Sequence, residues 1–155
     1  MSGPSASPDQ PADQTEWSGP LLALLLSEAN GARGAGSREA GTGEASLSAA
    51  LALADGQPPP RVAWLVQHLS VLKRACWETL SAHLGTAAPP AEFDLSALCR
   101  WEEGQAAVLT REQLASTVQA GGQPFKVSGL LRLNARNTVW IAGQIAALCR
   151  GPRLA

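Results

Sequence analysis

The stretch from Lys126 to Arg150, KVSGLLRLNARNTVWIAGQIAALCR, constrains the fold more than any other part of the chain. Leu130, Leu133, Asn134, Asn137, Trp140, Ile141, Gln144, Ile145 and Leu148 recur at i, i+3, i+4 and i+7, which lines them along one side of a helix. Ser128 is suited to cap its start, and Gly151-Pro152 to end it. At a rise of about 1.5 Å per residue the rod is about 33 Å long. An apolar stripe of that length has to be covered, by the rest of the chain or by a partner.

A second rod matches the first. Pro58-Pro59-Pro60 is a stiff break and also a helix entry, because proline is tolerated in the first turn. From Arg61 to Leu84, Val62, Leu65, Val66, Leu69, Leu72, Cys76, Leu80 and Leu84 keep the helical period as far as Gly85. Two stripes of similar length favour packing on each other at the crossing angle of about 20° common in bundles. Between the rods, Asp94 is placed to cap a short helix carrying Leu95, Leu98, Cys99 and Trp101. Thr110-Arg111-Glu112-Gln113 reads as a capping box, and Leu114 and Val118 give the helix after it an apolar side before Gly121-Gly122. Ala106 to Leu109 is also compatible with a strand, but one strand makes no sheet. The expected class is all-α: a small helical bundle built on two long amphipathic helices behind a flexible N-terminal segment.

Composition divides the chain near residue 57. Residues 1–57 hold seven carboxylates against two arginines, a balance of −5, and residues 58–155 hold ten basic and six acidic groups, a balance of +4. The expected organisation is a largely disordered, acidic and Gly-rich segment with two short helices over 1–57, and a helical domain over 58–151. The first 17 residues offer almost nothing to bury, and Gly31 to Gly43 has the composition of a linker. Ser18-Gly19-Pro20 opens a short helix that closes at Asn30-Gly31. It is apolar nearly all round, so it is either tucked into a core or held in reserve as a docking peptide. Glu44 to Asp55 sets Leu47, Ala50, Leu51 and Ala54 on one face of a second short helix.

The same numbers exclude several classes of function. A balance of +4 with interspersed charges is too weak a footprint for nucleic acid. The longest apolar run, Pro20 to Leu26, falls far short of the roughly 20 residues that span a bilayer. Met1 to Trp17 contains no Lys or Arg, which fits neither a secretory signal nor a mitochondrial presequence. The expectation is a soluble, intracellular, cytoplasmic protein. Cys76, Cys99 and Cys149 form no CxxC pair and lie in helical patterns, so they are expected as reduced thiols.

No constellation with catalytic, cofactor or metal chemistry emerges. His68, Cys76 and His83 are spaced by 8 and 7, whereas metal ligands on a helix want i, i+3 or i+4. Ser81 and His83 project about 200° apart on their helix and cannot act as nucleophile and base. There is neither a GK[ST] phosphate loop nor a GxGxxG fingerprint. LTREQLASTVQ has the rhythm of the first helix of a helix-turn-helix, but the following AGGQPF is longer than that motif's turn, leaving a weak DNA-binding regulator as the third reading. What remains is binding through apolar helix faces. Trp64 and Trp77 lie beside the stripe of their helix, where a large aromatic can anchor a partner. Asn134 and Asn137 place two amides on an apolar stripe, an arrangement that fixes register or selects one partner. Gly143 would let another backbone approach closely.

Leu131-Arg132-Leu133-Asn134-Ala135-Arg136-Asn137 followed by Trp140-Ile141-Ala142-Gly143-Gln144-Ile145-Ala146 resembles the C-terminal helix of the flagellar export chaperones for the hook-filament junction proteins. That family carries an Asn-x-x-Asn pair, an apolar stretch and often a Gln. The resemblance covers residues 130–148 and implies a small, cytoplasmic, all-α chaperone that holds an unassembled export substrate along this helix. It makes Leu133, Asn134, Asn137, Ile141, Gln144 and Ile145 candidate substrate contacts. The expected function is a non-enzymatic protein-binding module for partner helices, in homo- or hetero-oligomers, most concretely an export chaperone. The alternative is a structural adaptor subunit of a larger helical complex.

Overall fold

In the computed structural model, which describes residues 16–31 and 46–150, the two rods form as expected and run antiparallel. The polar stretch before Glu16, the Gly-rich stretch between Gly31 and Ser46, and the Gly151-Pro152 stop lie outside the described residues. Helix α3, Pro60–Leu84, opens on the proline run and closes at Gly85, whose φ of 69° is the left-handed turn that glycine adopts without strain. Helix α6 is Val127–Arg150. Val62, Leu65 and Leu69 near the start of α3 pack with Ile141 and Ile145 near the end of α6. Trp77 and Leu80 near the end of α3 pack with Val127 and Leu131 near the start of α6.

Several local signals act as the sequence suggests. Ser18 accepts from the Leu21 N–H at the start of α1, Gly19–Asn30, and Gly31 ends it at a φ of 79°. Ser46 caps α2, Leu47–Leu53, and the Asp94 Oδ1 accepts from the Ala97 N–H at 2.8 Å to start α4, Leu95–Ala107. Thr110 and Gln113 form the reciprocal capping box.

Helix α1 is in the core. Leu22 and Leu26 are fully buried and pack with Trp77, Ala106, Leu130 and Leu131. Each such burial is worth about 1.5–3 kcal/mol, which holds a 12-residue helix too short to be stable alone. The packed body therefore begins well before residue 58, and α2 extends it by placing Leu47 and Ala50 against Ile141, Ala142 and Ile145.

The segment after the capping box differs from the expected helix. Helix α5 covers only Arg111–Ala115, and Thr117–Ala120 (β1) pairs antiparallel with Gln123–Lys126 (β2), Ala120 opposite Gln123 and Thr117 opposite Lys126. Gly121 and Gly122 form the two-residue turn with φ of 58° and 77°, both positive, as the tight hairpin turns require. A helix through Val118 would have needed these glycines only as a terminator, whereas the hairpin uses both. The strands also move the start of α6. The Val127 N–H donates to the Ser116 carbonyl at 3.0 Å, so the helix begins at the hairpin's end and Ser128 lies inside it rather than capping it. A hairpin, rather than a turn of three or four residues, separates α5 from α6, so the two do not make a helix-turn-helix.

Candidate functional site

Between the two apolar clusters lies a layer of buried polar side chains drawn from four helices. Lys73 of α3 and Glu102 of α4 are fully buried and form an ion pair, Nζ to Oε1, at 2.5 Å. The other Glu102 oxygen accepts from the Trp77 indole N–H at 2.9 Å and from the Asn134 amide at 2.8 Å. Asn30 of α1 donates to Glu102 Oε1 at 2.9 Å and to Glu103 at 3.1 Å. Lys73 also donates to Asn134 Oδ1 at 3.0 Å. One carboxylate thus accepts four hydrogen bonds, all its lone pairs can take, and the Asn134 amide is used at both ends. Burying a charge this deeply is tolerable only with such complete satisfaction.

This layer could have been found in the sequence. Lys73 stands four residues after Leu69 and four before Trp77, and Glu102 stands four after Leu98 and four before Ala106. Opposite charges at interior positions of two apolar stripes announce a buried pair. Reading each stripe only for its apolar members passes over them.

The layer decides what the predicted contact residues can do. Asn134 is buried within it with its edge on the floor of the groove between α3 and α6, and Ile141 and Ile145 are buried against α2 and α3, away from any partner. Trp77, expected beside its stripe, is 2 % exposed, packs edge-on against Trp101 with centroids 5.3 Å apart, and bonds Glu102. In each case the chain's own helices cover the face. Asn137 and Gln144 are half-buried. Leu133, Trp140 and Trp64 remain at the surface, with Trp140 69 % exposed. Gly143 faces open space, with no neighbouring backbone against it.

The surviving residues lie together. On α6, Leu133, Asn137, Trp140, Gln144 and Leu148 follow one another at steps of three and four, on the edge turned toward α3. On α3, Trp64, His68, Val71 and Ala75 do the same. The two edges flank a groove of about 230 Å³ lined by Leu72, Cys76 and Thr79 on one side and Leu130, Leu133 and Asn137 on the other. Trp64, 50 % exposed, stacks on His68 with ring centroids 4.8 Å apart, and the Arg61 guanidinium sits 4.3 Å from its centroid. Val71 is 53 % exposed. Helix α6 places no carboxylate on this edge, and its arginines Arg132 and Arg136 line the cleft on its other side.

Nucleophilic chemistry finds no support at the thiols. Burial pushes the Cys76 thiol up to about 12, with the Glu102 charge adding to the shift and Lys73 opposing it. Burial pushes Cys99 to about 12 against the opposing Lys73 charge. Both are neutral thiols at ordinary pH and poor nucleophiles. His83 shares a 2.9 Å hydrogen bond with the Ser116 hydroxyl on the surface, and His68 is taken up by Trp64. Among the described residues no group of three His, Cys, Asp or Glu is placed to hold a metal ion, and no helix is long and apolar enough to cross a membrane. In comparison with known proteins, no family model, no curated protein and no solved structure matches the chain.

Proposed function

We propose that this chain is a non-enzymatic helix-binding protein that docks an amphipathic segment of a partner along the α3–α6 groove. The observation that carries the reading is Trp140, a large aromatic 69 % exposed between Leu133 and Leu148 on a helix whose opposite face is fully buried. Scattered surface apolar residues are ordinary, but exposed Trp64 and Val71 on one helix edge and Leu133, Trp140 and Leu148 on the other concentrate apolar area about the α3–α6 seam, as interaction surfaces do. Tryptophan is the residue most often found to dominate binding energy in such patches. Helix-in-groove recognition reads anchors at i, i+3 or i+4, and i+7, the spacing displayed here.

The chemistry of the partner follows from charge. Arg61 beside Trp64 favours a segment with a carboxylate among its apolar residues where it passes the start of α3. A body with its own two apolar clusters and a polar layer centred on a fully bonded Glu102 carboxylate supports a protein that stands without its client and releases it. That favours a cytoplasmic export chaperone, in keeping with the resemblance of residues 130–148, over a permanent subunit.

A photo-crosslinking side chain placed at position 144, on the groove edge one turn from Trp140, tests this, with position 100, exposed on α4 and away from the groove, as the control. A partner captured from 144, absent from 100 and lost on Trp140→Ser or Trp64→Ser supports the reading. Equal labelling from both positions, or capture of a second copy of this chain alone, overturns it.

A further inference from the structure

On the opposite edge of α6 a second cavity opens. Helix α1, α6 and strand β2 enclose a cleft of about 670 Å³, within the range of about 300–1,000 Å³ in which proteins hold small ligands. Leu25 and Ala29 of α1, Phe125 of β2 and Val139 of α6 give it apolar walls. Among the described residues its lining carries Arg132 and Arg136, one helical turn apart, and one carboxylate, Glu28. The Arg132 guanidinium lies 4.8 Å from the centroid of the Trp17 ring, which lines the same cleft.

One buried donor there lacks a partner, and a solvated cation stands beside it. The Trp17 indole Nε1 is buried and has no acceptor among the described residues, although buried N–H donors are nearly always paired. Arg136 has no ion-pair partner among the described residues. A donor and a cation without an acceptor, set among apolar walls, define the missing species as an acceptor that is negatively charged and attached to an apolar body.

We infer that the cleft binds a small amphipathic carboxylate, of the size of a medium-chain fatty acid, whose head group accepts from the Trp17 indole N–H and pairs with Arg136. A planar carboxylate suits the guanidinium fork better than a point charge does. Glu28 disfavours a second negative charge. The site is separate from the docking groove, with which it shares only Leu133, so either can fail without the other.

The intact protein labelled with ¹⁵N tests this directly. Each of its five tryptophans gives one indole N–H signal, and Trp17→Phe identifies that of Trp17. Sodium decanoate, decanol and decyltrimethylammonium are titrated separately, each below the concentration at which it self-associates. Decanoate should move the Trp17 signal saturably and bind about tenfold or more tightly than the other two, and Arg136→Ala should remove about tenfold of that affinity, the loss expected for one charge-assisted hydrogen bond. Arg136 is exposed, and unchanged circular dichroism of the variant separates lost binding from lost fold. Equal binding of the three amphiphiles, shifts confined to Trp64 and Trp140, or wild-type affinity in Arg136→Ala would each overturn the assignment.

Discussion

Lys73 and Glu102 hold a charge pair where an apolar pair of similar volume would have served stability as well or better. Once in place, neither can be removed singly. Lys73→Met should cost about 3–5 kcal/mol in urea unfolding, because Glu102 would be left buried without its cation. Adding Glu102→Gln should recover part of that loss, and a double variant no more stable than Lys73→Met would rule out the stranded charge as the cause. The neighbouring thiols set a second expectation. Cys76 and Cys99 have folded pKa values of about 12, above the ordinary 9.0. Between these values the unfolded chain releases protons that the folded one keeps. The stabilisation is therefore complete below pH 9, and each thiol withdraws about 1.4 kcal/mol per pH unit as the pH rises toward 12. Chemical denaturation between pH 8 and 11 checks this, with Cys76→Ala/Cys99→Ala expected to flatten the alkaline fall. At this scale the caps Ser18, Asp94 and Thr110 were legible in the sequence because they act on backbone within three residues of themselves. Burial of Asn134 was not, since its partners are 61 and 32 residues away.

Helices with glycine inside them show how much depends on surroundings. A Cβ on Gly19 would lie 2.7 Å from the Ala106 and Leu109 carbonyl oxygens, so the start of α1 rests directly on the end of α4. Gly143 in α6 meets nothing within 4 Å. Gly19→Ala should lower the melting temperature by forcing the two helix ends apart, while Gly143→Ala should raise stability by about 1 kcal/mol from helix propensity alone. Thermal unfolding followed by circular dichroism distinguishes them, and equal effects would show that α1 is not seated on α4 as described. The two long helices were legible because a period kept over 24 or 25 residues leaves little ambiguity. The hairpin was harder to read, since Leu114 and Val118 fit a helix as well as Val118 and Ala120 fit a strand. The twin glycines, with β-branched Thr117 and Val118 before them and Phe125 after, carried the deciding signal.

For the whole molecule, the placement of α1 was beyond local pattern. A segment apolar on every side suits a core and a docking peptide equally, and only the space left between α4 and α6 decides between them. The exposed tryptophans sit outside that packing. Trp64→Ser and Trp140→Ser should each shift unfolding stability by no more than about 0.5 kcal/mol while abolishing capture of a partner from position 144. A large loss of stability in either would assign these side chains to the core. The polar layer has a mechanical corollary. Helices in oily bundles can ratchet past one another by a turn, about 5.4 Å. Here such a slip of α1, α3 or α6 relative to α4 would strand Lys73, Trp77, Asn30 or Asn134 away from the single carboxylate they share. The scaffold is thereby locked in phase, and a client docking as proposed would meet helices already fixed in register.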